Sequence, residues 1–222
     1  MRADKGSTAE LTQQPVKNHL FRGAVLPYFL AWIAFTLVGC GRIEVPPAKV
    51  SAIVDWEIRQ QQLAALHEWN IEGRIALRVG DKGGHSRYHW RHQSEAQHFS
   101  LSGLMGVGGM ALTHRPGQTE VTTSEGRFQG EEPEQLLLEV TGWHFPIEAA
   151  AAWIKGIPAE GVAIDALVLD EENRLQSLSQ SGWRLQVRRY QQVEQLQLPE
   201  LIVIERDEVR LKLQVAQWEL DS

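Results

Sequence analysis

From Trp69 onward, apolar and polar residues alternate along the chain with a period of two. The segment WNIEGRIALRV, residues 69–79, places apolar side chains at alternate positions, with Asn, Glu and Arg between most of them. The same period continues through residues 88–90, 99–101 and 110–112. Because successive side chains of a strand point to opposite faces of the sheet, each segment is predicted to form a strand with one buried and one exposed face.

The second half of the chain repeats this pattern. Val162–Leu169 is nearly continuously apolar, and further strands are predicted over Leu175–Ser179, Trp183–Val187, Leu201–Ile204 and Val209–Val215. Ser181-Gly182 and Arg206-Asp207 lie between consecutive strands, where tight turns are expected. The pattern therefore indicates consecutive hairpins, which is typical of an antiparallel sheet.

Three segments change to helical spacing. A helix is predicted from about Ala52 to His67, with Ile53, Trp56 and Leu63 on one face. Proline at the start and glycine at the end delimit two shorter helices, Pro133–Thr141 and Pro146–Lys155.

Together these elements predict a mainly β fold with some α-helix. About ten or eleven strands should form a half-closed antiparallel β-barrel, with about three helices covering its opening. Strands that each have one apolar face require a curved sheet that closes around an interior. A barrel of this size tends to leave space for a ligand.

The segment LSGLMGVGGMAL, residues 101–112, interrupts the pattern between two strands. It contains four glycines and no charged residue, although loops usually lie on the surface and carry polar side chains. Two interpretations remain open on composition: a barrel corner with its apolar side chains folded inward, or an exposed apolar loop.

The N-terminus has the organisation of a secretory signal. Residues 24–39, AVLPYFLAWIAFTLVG, are uncharged and almost entirely apolar, and basic residues precede them. Sixteen residues are marginal for a membrane-spanning helix, and Pro27 would interrupt it. Leu37-Val38-Gly39-Cys40 resembles the lipobox of bacterial lipoproteins, which implies that Cys40 is lipidated at its sulfur, becomes the mature N-terminus and is then acylated at its nitrogen.

The predicted organisation is therefore a lipoprotein signal peptide over residues 1–39, an acylated Cys40 and tether over residues 40–50, and a single domain over residues 51–222. Gly41 follows the cysteine. By resemblance to enteric lipoproteins, in which aspartate there marks retention in the inner membrane, glycine permits export to the outer membrane.

Composition and charge narrow the function further. Apolar residues make up 43% of the chain and charged residues 23%, values that are ordinary for a globular protein. The formal net charge of −6, without a long basic run, argues against nucleic acid as a partner and against electrostatic attraction to an anionic membrane. Without residues 1–39 the chain has 18 Lys+Arg and 26 Asp+Glu, a net charge of −8.

Candidate chemistry is sparse. His85, His89 and His92 fall in one predicted strand, where spacings of four and three residues place them on mixed faces, so no metal site is predicted and surface positions are expected. The sequence has no Gly-x-Ser-x-Gly, HExxH or phosphate-loop motif. We therefore expect neither an enzyme nor a cofactor.

Four segments resemble the LolB family, the outer-membrane lipoprotein receptors of Gram-negative bacteria. They are TGWHFPIEAAAAWIKGIPA (residues 141–159), LSGLMG (residues 101–106), WNIEGRIALR (residues 69–78) and VRLKLQVAQW (residues 209–218). The resemblance implies a half-closed barrel with helices across its opening. It also implies a protein that accepts mature lipoproteins from the periplasmic carrier LolA and places their acyl chains in the inner leaflet of the outer membrane, without a cofactor. A monomer is expected.

The resemblance also assigns residues. In the family, an exposed leucine in a Pro-Leu-Gly context inserts into the membrane; here the segment reads Leu104-Met105-Gly106, so that role falls on Met105, helped by Leu104. An apolar, deformable pocket would keep acyl chains dry. The candidate lining residues are Trp69, Ile71, Phe99, Leu101, Met110, Leu112, Trp143, Phe145, Trp153 and Trp183. For each of them the alternative is ordinary core packing.

Two other functions remain open at this point. The same barrel could belong to a LolA-like shuttle or another lipid-carrying envelope lipoprotein, although Cys40 argues against a freely diffusing shuttle. It could also belong to a structural lipoprotein whose interior is filled with side chains.

Overall fold

One antiparallel sheet of eleven strands forms the framework of the protein. The computed structural model describes residues 48–103 and 109–220. The strands are β1 (Trp69–Val79), β2 (Lys82–Gln93), β3 (Ala96–Ser102), β4 (Met110–Arg115), β5 (Gln118–Thr123), β6 (Gly126–Gly130), β7 (Ile164–Leu169), β8 (Leu175–Gln180), β9 (Trp183–Val193), β10 (Leu196–Arg206) and β11 (Val209–Leu220).

The strand order is β6-β5-β4-β3-β2-β1-β11-β10-β9-β8-β7. Every neighbouring pair is adjacent in the sequence except β1 and β11, which pair at the centre from Trp69 opposite Leu220 to Val79 opposite Val209. A bulge at Glu72/Gly73 interrupts this central ladder. A Cβ on Gly73 would lie 1.9 Å from the Gln214 carbonyl oxygen, so only glycine fits there. The sheet is not closed, since β6 and β7 are its two edges.

The alternating pattern is confirmed by burial. In β1 the side chains of Trp69, Ile71, Ile75 and Leu77 are buried. Those between them are mostly exposed: Glu72, Arg74, Ala76 and Arg78. The buried faces of the strands on both sides of β1 contribute to one continuous hydrophobic core. A sheet whose inner faces share one core must curve around it. The predicted mainly β architecture with about ten or eleven strands is therefore confirmed.

In the part of the chain that the structure describes, three helices accompany the sheet: α1 (Ala48–Ala64), α2 (Pro133–Thr141) and α3 (Ile147–Trp153). α1 begins and ends a few residues earlier than predicted, and α2 has its predicted bounds. Gly142 ends α2 in the left-handed conformation, with φ 75°, and donates its N–H to the Leu138 carbonyl. None of the helices in the described ranges is long and apolar enough to span a membrane.

α3 is shorter than predicted. The chain leaves the helix through turns in which the N–H of Lys155 bonds to the Ala152 carbonyl and that of Gly156 to the Trp153 carbonyl, at 3.0 and 2.9 Å. Gly156 has φ 81°, a value that few other residues adopt. This turn directs residues 157–163 back to the sheet edge at β7.

Gln180, at the end of β8, holds that returning segment. Its side chain is 1% exposed. The amide oxygen accepts hydrogen bonds from Trp153 Nε1 (2.9 Å) and the Ala159 N–H (3.0 Å). The amide nitrogen donates to the carbonyl oxygens of Ala159 (2.9 Å) and Val162 (3.0 Å). One buried side chain therefore ties the end of α3 and the following loop to the sheet.

Two strand predictions need correction. β9 extends to Val193 and β10 begins at Leu196, so residues 189–200, for which the pattern predicts no element, form the end of a long hairpin. The apolar segment predicted to begin at Val162 forms a strand only from Ile164. Of its residues, Ile164 and Val168 are each 48% exposed, because β7 lies at the edge of the sheet.

Candidate functional site

The candidate site is the apolar interior enclosed by the sheet and the helices. Nine of the ten predicted lining residues are buried, and Trp143 is half-buried against them. They come from β1, β3, β4 and β9 and from the region of α3, which the alternation and the helix spacing bring to one interior. Their placement inside the fold agrees with the prediction, whereas their role toward a ligand is taken up below as a proposal.

Aromatic rings form a continuous row across this interior. We call Trp218, Trp69, Trp90, Phe99 and Phe145 the aromatic row. Successive ring centroids lie 5.8, 5.1, 5.6 and 6.1 Å apart. The row crosses from β11 over β1, β2 and β3 to the segment before α3, and edge-to-face contacts such as the 75° angle between Trp69 and Trp90 stabilise it.

Side chains of the aromatic row pack on one another and on the aliphatic core. Trp69, Ile71, Phe99 and Leu112 each expose 2% or less of their surface. In this conformation the interior is thus a packed apolar core. The side chains of this core are large and apolar. If they moved apart, they would expose a hydrocarbon-like surface.

A groove of about 600 Å³ opens beside α3. Trp153 and Trp183 lie in its apolar wall, with their ring centroids 6.4 Å apart. Glu134, Glu148, Glu160, Lys155 and Arg206 are among the charged residues that border it. This apolar wall with a charged border is the arrangement expected where an apolar ligand with a polar end would enter.

Two side chains, those of Arg206 and His144, are positioned over the Trp183 ring in this groove. The Arg206 guanidinium lies 5.7 Å from the centre of the Trp183 ring, and the His144 ring stacks on the same indole at 6.0 Å. His144 Nε2 is also 3.4 Å from a Glu134 carboxylate oxygen. Burial, together with the charges of Glu148 and Glu132, raises the pKa of Glu134.

A second cavity, of about 650 Å³, lies where β3 ends and β4 begins. Leu101, Met110 and Tyr88 are among its lining residues. Leu101 and Met110 are paired across the two strands and are both buried. The predicted inserting residues Leu104 and Met105, like Cys40, lie outside the described residues.

The histidines differ from the prediction at one position. His85 is exposed, but His92 is half-buried, stacks on Trp69 at 5.1 Å, and bonds through Nδ1 to the His67 carbonyl at 3.0 Å. The expectation that all three histidines face the surface is therefore wrong for His92, which lies on the same strand face as Tyr88 and Trp90. Among the described residues, no three His, Cys, Asp or Glu side chains are grouped as metal ligands would be.

Sequence reasoning left several interior residues out of the lining set. Trp90 has no exposed surface and occupies the middle of the aromatic row. Tyr88 and Trp218 are likewise buried. The signal for Tyr88 and Trp90 was present, because both alternate with arginines along β2. Gln180 had no such signal, because its bonds are to residues about 20 positions away.

Comparison with known proteins finds one family match and several similar sequences. Residues 67–218 match the family described as "Outer membrane lipoprotein LolB". The chain is 32% identical over 196 residues to "Outer-membrane lipoprotein LolB" of Chromohalobacter salexigens, covering 86% of this chain and 91% of that protein. It is 33% identical over 164 residues to the protein of the same name from Pseudomonas fluorescens, covering 73% and 80%.

Among solved structures, a LolA superfamily protein from Nitrosomonas europaea aligns with 77% of this chain and 94% of its own. Its TM-score is 0.45 and its sequence identity 9%.

Proposed function

The chain belongs to the LolB family of outer-membrane lipoproteins, and from that membership we propose that it is a receptor anchored to the outer membrane. It accepts mature lipoproteins from a LolA-like periplasmic carrier and inserts their acyl chains into the inner leaflet of that membrane. Membership places the protein in lipoprotein localisation, and the steps of transfer are the proposal.

The observation that carries the proposal is the apolar interior of an unclosed sheet. Moving an acyl chain through water costs about 0.8 kcal/mol per CH₂ group. A receptor must therefore offer a surface that keeps the chain dry between the carrier and the membrane. The aromatic row and the neighbouring aliphatic side chains supply such a surface without polar groups that would select one protein cargo.

The open sheet supports a route by which this interior is exposed. β6 and β7 are the edge strands of the sheet. α2 and α3 connect them along the chain and do not pair with any strand. Moving α2 and α3 away from the core therefore breaks side-chain packing and the bonds of Gln180 but leaves the strand ladders intact.

The anchor follows from the N-terminal sequence. In the proposal residues 1–39 are removed as a signal peptide, Cys40 carries the acyl groups, residues 40–50 form the tether and residues 51–222 form the receptor domain. Two or three acyl chains at about 0.8 kcal/mol per CH₂ bind a membrane stably, so no basic patch is needed. The tether would hold the domain at the periplasmic face of the outer membrane.

Delivery is assigned to Leu104 and Met105. These residues lie between β3 and β4, whose last and first inward residues, Leu101 and Met110, are buried and paired. Gly103, the last described residue before them, has φ 71°, a left-handed conformation that favours glycine. Burial of one large apolar side chain in the bilayer surface contributes about 1.5–3 kcal/mol, enough to bias docking.

The test is a reconstituted transfer assay with the full chain. Met105→Glu should take labelled lipoprotein from the carrier as the unaltered protein does but deliver it to liposomes at least several-fold more slowly, because a charged side chain does not enter the bilayer surface. Met105→Leu is the matched control and should deliver normally. Normal delivery by Met105→Glu would contradict the assigned role.

The same assay separates the other functions. The packed interior favours one alternative, a structural lipoprotein whose barrel binds nothing, and such a protein would not take lipoprotein from the carrier at all. A carrier of free lipids would take up lipid from vesicles while leaving the lipoprotein on its carrier.

A further inference from the structure

Three hydrogen-bond donors on the inner faces of the adjoining strands β1 and β2 have no partner among the described residues. Trp69 Nε1, Trp90 Nε1 and the Tyr88 hydroxyl are buried and make no hydrogen bond to the described residues. Trp69 is on β1, and Tyr88 and Trp90 are on the adjoining β2. Each of the three side chains is at most 2% exposed. The Trp69 and Trp90 rings are 5.1 Å apart.

Elsewhere in the core the same chemical groups are satisfied. Trp153 Nε1 donates to Gln180 Oε1 at 2.9 Å, Trp218 Nε1 to the Pro199 carbonyl at 3.3 Å, and the Tyr190 hydroxyl to the Leu175 carbonyl at 2.7 Å. The fold therefore supplies acceptors to buried aromatic donors in other places. More than nine in ten buried polar groups in proteins have a partner. Arg59 Nε, Asn70 Oδ1, Gln97 Oε1 and His144 Nδ1 are also unpartnered among the described residues, but the three donors of β1 and β2 are aromatic and lie on two adjoining strands, and they point to an acceptor that arrives from outside.

We propose that Trp69, Tyr88 and Trp90 bind the carbonyl oxygens at the head of the lipid's acyl chains. This inference rests on the proposed function, since it specifies which part of the cargo the interior recognises. An indole N–H can only donate, so the ligand atom must be an acceptor. The hydrocarbon tails offer none, whereas each ester or amide that joins a tail to the lipidated cysteine offers a carbonyl oxygen.

The environment suits donation by all three groups. Burial raises the pKa of Tyr88, so its hydroxyl keeps its proton. A cysteine with two ester-linked chains and one amide-linked chain presents three such carbonyls. The aromatic row continues from Trp69 and Trp90 to Phe99 and Phe145, where the tail beyond each carbonyl can lie against apolar surface.

The test compares two ligands that differ only in those carbonyls. A dipalmitoylglyceryl-cysteine peptide carries two ester carbonyls. Its dihexadecyl ether counterpart has the same peptide but no ester carbonyl. Binding of each to the purified full chain is measured by displacement of a fluorescent lipopeptide. The diester should bind about 3- to 10-fold more tightly for each hydrogen bond that its carbonyls form.

Variants that remove one donor should reduce this difference between ester and ether. Tyr88→Phe and Trp90→Phe should each reduce the advantage of the diester over the ether about 3- to 10-fold. Trp218→Phe is the matched control: its indole already donates to Pro199, so the difference should persist. Tyr88→Phe removes only a hydroxyl, so it stays informative if the tryptophan variant does not fold.

The outcomes distinguish this inference from the proposed function. Equal affinity of the unaltered chain for diester and ether would overturn the inference and leave the receptor function standing. Failure to bind either ligand would overturn the proposed function itself. A diester phosphatidylethanolamine presents the same carbonyls on another headgroup and should show the same difference from its ether form. A difference confined to the lipopeptide would assign recognition to the peptide and contradict the proposal.

Discussion

His92 connects the aromatic row to the pH dependence of stability. Burial lowers the pKa of His92, and the nearby positive charge of Lys155 acts in the same direction, while the bond to the His67 carbonyl opposes both. Burial also lowers the pKa values of His98 and His144. In the unfolded chain these histidines titrate near their usual value of about 6.5. As the pH falls through that value the unfolded chain binds more protons, so the folded state loses stability.

His92→Asn tests this contribution. Asparagine can keep a donor toward the His67 carbonyl but does not titrate, so the fall in melting temperature between pH 7.5 and pH 5.5 should be smaller than in the unaltered protein. Glu134 works in the opposite direction, since its raised pKa favours the folded state on acidification. His85→Asn, at an exposed position, is the control and should leave the pH dependence as it is. An unchanged fall in His92→Asn would show that His92 contributes nothing to it.

At the residue scale the sequence predicts which side chains face inward but not what their polar atoms bond to. Alternation with polar residues places Trp69 and Ile71 inside, and the same rule would have placed Tyr88 and Trp90 there. Whether an indole N–H is satisfied depends on acceptors brought close by the fold, as Gln180 is to Trp153. The unpartnered donors of β1 and β2 are therefore a property that only the three-dimensional structure reveals.

At the scale of elements, the attachment of α3 to the sheet depends on Gln180. Its four hydrogen bonds join Trp153, the backbone of Ala159 and the Val162 carbonyl to the end of β8. The rest of α3 is held by apolar packing and by Glu148, whose carboxylate lies 3.8 Å from His114 Nε2 on β4. The amide is thus the directional contact that fixes where the helix ends against the barrel.

Gln180→Ala should lower the free energy of unfolding by about 2–4 kcal/mol, because it leaves buried donors and acceptors without partners. Denaturant titration measures the change. Gln129→Ala provides a matched control, since Gln129 bonds to Glu120 at the exposed surface and its loss should cost within about 0.5 kcal/mol. A loss below about 1 kcal/mol in Gln180→Ala would mean that water replaces the amide.

The elements that sequence analysis missed are polar ones. Residues 189–200 extend the β9–β10 hairpin, yet glutamines dominate them and Pro199 interrupts the expected ladder at a bulge. Their strand conformation comes from pairing with each other. Apolar and polar residues alternate along a strand only where one of its faces is buried. This end of the hairpin buries few side chains, so its sequence does not show the alternation.

At the scale of the whole molecule, the unclosed sheet has two unlike edges. β6 is a short strand of five residues, and α2 packs beside it, so that a Cβ at Gly130 would touch Leu136 at 3.6 Å. β7 carries the exposed side chains of Ile164 and Val168. An open strand edge with apolar side chains favours pairing with another chain. Sequence periodicity predicted the strand number and curvature, but the edges depend on how far the sheet closes.

Ile164→Lys should lower self-association of the concentrated protein, measured by light scattering, and change the free energy of unfolding by no more than about 0.5 kcal/mol. Asp165→Asn changes the net charge by the same +1 on the same strand while keeping the apolar side chain of Ile164, so it should reduce association less. If both variants reduce association equally, net charge and not the edge of β7 governs it.

The pairing of β1 with β11 has a consequence for how the protein folds. Nine of the ten strand pairings join neighbours in sequence, so they close over short loops. The tenth, at the centre, needs both ends of the domain, since β1 has no other partner on that side. A chain exported under the signal peptide proposed for residues 1–39 folds after translocation, so until β11 has arrived it keeps an unpaired edge beside Trp69 and Ile71. That interval is when a holding chaperone would protect it most.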